Sequence, residues 1–156
     1  MKENKIILLV VSSERAPEVS STTAIKLAAE KNCSLHILYV IEEWGLKYLN
    51  RMSESELIGK KISTELAESL IREKRQHAYT VIERITENAK KQNVNVKSTI
   101  LTGDIIELSL KISKELSPLE IIISMQKEGY LQKILRGNPV DILKKSTGIP
   151  VTAINE

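Results

Sequence analysis

The sequence predicts an α/β fold, with five parallel strands in one sheet and helices covering both of its faces. Three observations imply it. The run Lys5, Ile6, Ile7, Leu8, Leu9, Val10, Val11, Ser12 is continuously apolar between its ends, as a strand buried on both faces must be. Four more strand-like runs follow, interleaved with helical patterns, and that alternation implies right-handed crossovers and a mostly parallel sheet. The core must also be aliphatic, because the chain of 156 residues has one Trp, four Tyr and no Phe.

After the first strand, residues 13–17 form a polar connection. A helix then runs to about Lys31, turning Ala24, Leu27 and Ala28 inward, and Asn32 suits the left-handed position that follows a helix. Residues 34–41 are the second strand. Residues 42–50 carry Trp44, Leu46 and Tyr48, and residues 54–92 are helical in pattern, first through Leu57, Ile58, Ile62, Leu66, Leu70 and Ile71. The stripe weakens between Arg72 and Gln76 and resumes with Ala78, Val81, Ile82, Ile85 and Ala89, which fits either two helices or one that bends. Residues 95–101 are the third strand, leading into Thr102, Gly103 and Asp104. A helix over 105–116 places Ile106, Leu108, Leu110 and Ile112 at its apolar positions. Residues 119–124 form the fourth strand, 139–146 the last helix, which Gly148 stops, and 149–154 the fifth strand. The whole, 1–156, reads as one domain with a long helical insert at about 43–93.

Composition narrows the function. A net charge of +3 is too small to argue for nucleic acid. No apolar run approaches the ~20 residues that span a bilayer, and the start from Met1 to Lys5 lacks the apolar centre of a signal peptide. Cys33 is the single cysteine, so no internal disulfide forms, and with His36 and His77 far apart no metal site is expected. These features favour the cytoplasm. His36 lies inside a strand, His77 inside a helix and Cys33 at the start of a strand, so each reads as structural. No nucleophile, base and orienting group can be assembled from the sequence, and an enzyme is not expected.

In parallel sheets of this kind ligands sit beyond the carboxyl ends of the strands, so the loops after Ser12, Ile41, Leu101 and Ser124 are the places to search. Neither a G-x-G-x-x-G turn nor a P-loop is present. Asp104 either caps the helix after it or faces the cleft. The loop from Ser124 to Asn138 is more informative. Between Met125 and Lys145 stand five cationic residues (Lys127, Lys133, Arg136, Lys144, Lys145) against Glu128 and Asp141. Gly137, Asn138 and Pro139 open the last helix, whose N-terminal N–H groups and partial positive charge favour an anion. A capped helix after a surface loop would give the same residues.

Three blocks resemble the universal stress protein family. They are residues 24–40, from Ala24 through the second strand; Gly103 with Asp104; and residues 137–151, from Gly137 to Val151. The insert alone is poorly matched. The resemblance implies a Rossmann-like or flavodoxin-like three-layer sandwich with strand order 3-2-1-4-5. Nucleotide-binding members carry G-x2-G-x9-G-[ST] in the loop after the fourth strand. Here those positions are Ser124, Lys127, Gly137 and Asn138, with the spacing kept and one glycine of three retained. The family's Asp at the end of the first strand falls on Ser12, the Gly after it on Ser13, and the Pro following the third-strand Gly on Ile105. A β-carbon at the first two loop positions disfavours the backbone conformations that wrap phosphates.

Two readings follow. In the first, the chain is a universal-stress-type module acting through partner contacts, without tight ATP binding. The resemblance implies a homodimer through the strand that Ile149 opens and Ile154 closes. In the second, it is a nucleotide switch or slow ATPase with ATP as cofactor. Ser124, Lys127, Gly137 and Asn138 would then hold the phosphates, with Ser12 and Gly103 in the cleft and the backbone of Val40 and Ile41 beside the base.

Overall fold

The computed structural model describes residues 4–12, 17–42, 60–125 and 138–156, with the backbone alone for 60–64. The elements run β1 (Ile6–Ser12), α1 (Glu18–Glu30), β2 (Ser34–Glu42), α2 (Lys60–Lys90), β3 (Val96–Gly103), α3 (Ile105–Leu116), β4 (Glu120–Met125), α4 (Pro139–Thr147) and β5 (Val151–Asn155). The sheet is parallel throughout and ordered β3-β2-β1-β4-β5. The expected fold and strand order are therefore observed. Among the described residues, no helix is long and apolar enough to cross a membrane.

Strand alternation divides the interior into two cores. Ile7, Leu9, Val11, Leu35, Ile37, Tyr39, Ile41 and Ile122 face α1 and α2. Leu8, Val10, Leu38, Val40, Ile121 and Ile123 face α3 and α4. Both faces of β1 are thus covered, which is why its sequence shows no polar alternation. Small residues let the helices come close: Ala24 and Ala28 of α1, and Ala78 and Ala89 of α2, are fully buried. The αL conformation expected at Asn32 is present, with φ of 52°.

Two expectations are sharpened. The pattern over 54–92 left open one helix or two, and within the described residues α2 is a single helix of 31 residues. Among its described side chains the buried positions begin at Ala78; between residues 65 and 77 they are exposed or half-buried. The weak stripe at Arg72 to Gln76 therefore marks where the helix moves onto the sheet. In α3, the buried positions are Ser109, Ile112 and Ser113, whereas Ile106 stays half-buried outside the main core. Apolar counting missed this because the inward stripe contains two serines.

Those serines lie one helical turn apart, and neither hydroxyl has a hydrogen-bond partner among the described residues. Ser113 borders a groove it shares with Ser146 and Thr147 of α4. A buried hydroxyl that makes no bond costs about 1–3 kcal/mol of desolvation. Ser113→Ala keeps the volume near the backbone and removes that cost, so it is expected to raise stability by about 1 kcal/mol. Urea denaturation checks this, and a drop of the same size would show that the hydroxyl contributes a bond.

His36 behaves as a structural histidine. Its Nε2 lies 2.8 Å from Thr99 Oγ1 on the neighbouring strand. Burial and then the Lys97 charge hold its pKa below the ordinary value.

Candidate functional site

Strand order reverses between β1 and β4, where the chain departs to opposite sides, and in open parallel sheets such a point, beyond the carboxyl ends of the strands, is where ligands bind. The β1–β2 ladder ends with Ser12 paired to Val40, so Ile41 and Glu42 continue two residues past the end of β1. Val40 and Ile41 are fully buried, their side chains on opposite faces of the sheet. By strand alternation Ser12 shares the α3–α4 face with Leu8, Val10 and Val40.

Gly103 closes β3 on that same face. Its φ is +155°, and a β-carbon built there would lie 3.2 Å from Leu108 Cδ1 of α3. Glycine at this position thus permits both the backbone path and the close start of α3. Asp104 follows as a helix cap, its Oδ1 accepting from the N–H groups of Ile106 (2.9 Å) and Glu107 (3.1 Å). Asn138 plays the same part for α4: its backbone is extended and its Oδ1 accepts from Val140 N–H at 3.1 Å. Pro139 occupies the first turn, where its missing N–H costs nothing.

Ser124 is arranged differently. It ends the β4 run 5% exposed, and its hydroxyl donates to Glu156 Oε1 at 2.8 Å. Glu156 follows β5 directly, and its N–H donates to Met125 O at 3.2 Å, extending the ladder by one bond. Its carboxylate also accepts from two N–H groups in the first turn of α1: Ser20 to Oε1 at 3.1 Å and Val19 to Oε2 at 3.0 Å. The Ser124 side chain therefore points to the α1 side of the sheet, away from Ser12, Val40 and Gly103.

Of the residues expected at the cleft, Ser12, Val40, Ile41, Gly103, Ser124 and Asn138 are described. Ser12, Val40 and Gly103 share one face, Ile41 and Ser124 the other, and Asn138 opens α4. Lys127 and Gly137 lie outside the described residues, as do Ser13, Trp44 and Tyr48. Sequence reasoning missed Glu156. Its signal was indirect: α1 begins after Pro17 with no capping side chain of its own, so its first N–H groups need an acceptor from elsewhere. Among the described residues, no group of three His, Cys, Asp or Glu side chains could hold a metal ion.

The comparisons with known proteins agree with this architecture. Universal stress protein UspA from Lactobacillus plantarum superposes with a TM-score of 0.72 at 16% identity, covering 99% of each chain. The hypothetical protein MJ0577 gives 0.69 at 22% identity, over 98% of this chain and 96% of its own. A universal stress protein from Archaeoglobus fulgidus, solved in complex with dAMP, gives 0.59 at 13% identity, covering 99% of each chain. At these identities the likeness is one of fold. No curated protein matches the chain. The sequence model of the universal stress protein family matches residues 3–155. With nearly its whole length matched, the chain belongs to the universal stress protein family.

Proposed function

We propose that the chain acts as a dimeric interaction module that holds no nucleotide tightly. The observation that supports this most strongly is the state of Ser124. In the nucleotide-binding pattern its position is glycine, whose bare backbone can approach phosphates. Here a side chain stands in its place, buried and bonded to Glu156. Ser12, where nucleotide-binding relatives carry Asp, supplies no negative charge to a ribose hydroxyl or metal. The dimer surface in this reading is β5, an edge strand whose outer side has no partner among the described strands.

The test is direct. Purified protein is denatured and the supernatant assayed for adenine nucleotide, and melting is followed with millimolar ATP and magnesium. No released nucleotide and no thermal shift are expected. Either effect at stoichiometric level would overturn the reading.

One observation favours the alternative of a nucleotide switch or slow ATPase: the Archaeoglobus fulgidus relative was solved with dAMP. In that reading Asn138 and Gly137 at the start of α4, with Ser124 and Lys127, face the phosphates of ATP. Ser12, Gly103 and the backbone of Val40 and Ile41 then line the rest of the cleft. Gly137→Val should abolish ATP binding, because a branched side chain blocks the backbone approach. Lys127→Ala should only weaken it, by about tenfold, since it removes charge without changing backbone geometry. Isothermal titration with both variants separates the two effects.

A further inference from the structure

We propose that the Glu156 carboxylate is a built-in anion that keeps the N-terminus of α1 closed, and so excludes phosphate groups from the α1 side of the cleft. The inference rests on the reading of a cleft without tight nucleotide binding and names a residue that makes it so.

Three donors converge on this one carboxylate: the N–H groups of Val19 (3.0 Å) and Ser20 (3.1 Å) and the Ser124 hydroxyl (2.8 Å). Ser20 is fully buried and Ser124 is 5% exposed, so the Oε1 side of the receptor is walled, while Val19 on the Oε2 side is 52% exposed. Two consecutive N–H groups at a helix start, joined by a hydroxyl, are the donor set that a phosphate or carboxylate accepts from. α1 brings no capping side chain of its own, since the residue before it is Pro17. Glu156 supplies the acceptor that the residue before α1 does not.

The place matters as much as the donors. Val10 of β1 pairs with Ile123 of β4, so Ser124 sits one residue beyond that pair, at the switch point itself. A phosphate entering on the α1 side would meet the same three donors and find a negative charge already among them. It can bind there only by displacing Glu156, whose backbone is held to Met125 at the end of β4. A ligand phosphate is thus left the start of α4, where Asn138 is the cap.

The experiment follows the backbone amide resonances of Val19, Ser20 and Val140 while inorganic phosphate is titrated at constant pH and ionic strength. It compares the wild type with Glu156→Gln, Glu156→Ala and the double variant Glu156→Ala, Ser124→Ala. The amide variant keeps the shape of the side chain and stays testable should the truncation fail to fold. In the wild type the Val19 and Ser20 signals should not shift saturably up to tens of millimolar phosphate. In both single variants they should, with an apparent dissociation constant at least about tenfold lower than any limit set by the wild type. Removing the Ser124 hydroxyl as well should weaken that gain severalfold. Saturable shifts of equal affinity in the wild type would overturn the proposal. So would folded variants whose Val19 and Ser20 signals stay still, or shifts confined to Val140. Should the protein release adenine nucleotide yet show these shifts only in the variants, the proposed function fails and the role of Glu156 stands.

Discussion

Tyr39→Ala is expected to destabilise the protein by about 3–5 kcal/mol, the usual range for deleting a large aromatic side chain from a core. Tyr39 is the largest of the fully buried side chains and lies 1% exposed, on the face of β2 that meets α1 and α2. Its neighbours in that core are aliphatic or small, and none can swing in to refill an aromatic-sized hole. Out of a total stability of about 5–15 kcal/mol, such a loss lowers the melting temperature by roughly 6–20 °C. Urea denaturation followed by circular dichroism measures it, and a loss below about 1 kcal/mol would mean the sheet can collapse onto the site. Tyr39→Phe isolates the phenol. Burial pushes the Tyr39 pKa up to about 12 from 10.0. Between those values the unfolded chain releases the proton before the folded one does, so this group's contribution is complete below pH 10 and disappears as pH rises to about 12. The phenylalanine variant should lose that part of the alkaline slope.

The second large effect is on assembly. Ile121 N–H donates to Pro150 O, and Glu156 N–H donates to Met125 O. In a parallel ladder the bonding direction alternates by residue, so Pro150, Thr152, Ile154 and Glu156 face β4. Val151, Ala153 and Asn155 then direct their backbone groups to the open edge. Ala153→Pro removes an outward N–H and leaves the β4 ladder untouched, a substitution that edge strands tolerate. A two-fold dimer built on β5 would lose that donor twice. At about 1–3 kcal/mol for each orphaned acceptor, the dimer dissociation constant should rise at least ~30-fold. Sedimentation across a concentration series reads this directly. An unchanged dimer with an intact circular dichroism spectrum would place the interface elsewhere.

How much of this was legible in the sequence depends on what kind of signal each residue leaves. The strands of the sheet were visible because burial on both faces writes an unbroken aliphatic run, as in Ile7 to Val11. Asp104 and Asn138 were visible as capping residue types at helix starts, and both cap. Ser109 and Ser113 were not, because close approach to a neighbouring helix selects small size rather than apolarity. The orientation of Ser124 was not legible either. Its partner Glu156 is 32 residues away, and nothing local to either residue marks the pairing. Contacts that bind a strand end to a distant helix start arise from topology, so they become visible only once the strands are in order.

The length of α2 carries one more consequence. At ~1.5 Å per residue its 31 residues reach about 46 Å, while the nine residues of β2 extend roughly 30 Å. The overhanging part holds no buried side chain between residues 65 and 77, and the part from Ala78 to Ala89 is anchored in the core. One helix therefore contains two exchange regimes. Amide protons after Ala78 should exchange with solvent only when the whole molecule opens, whereas those before it should exchange through local opening, orders of magnitude sooner. The difference between the two lifetimes along a single unbroken helix measures how much of its order is borrowed from the sheet.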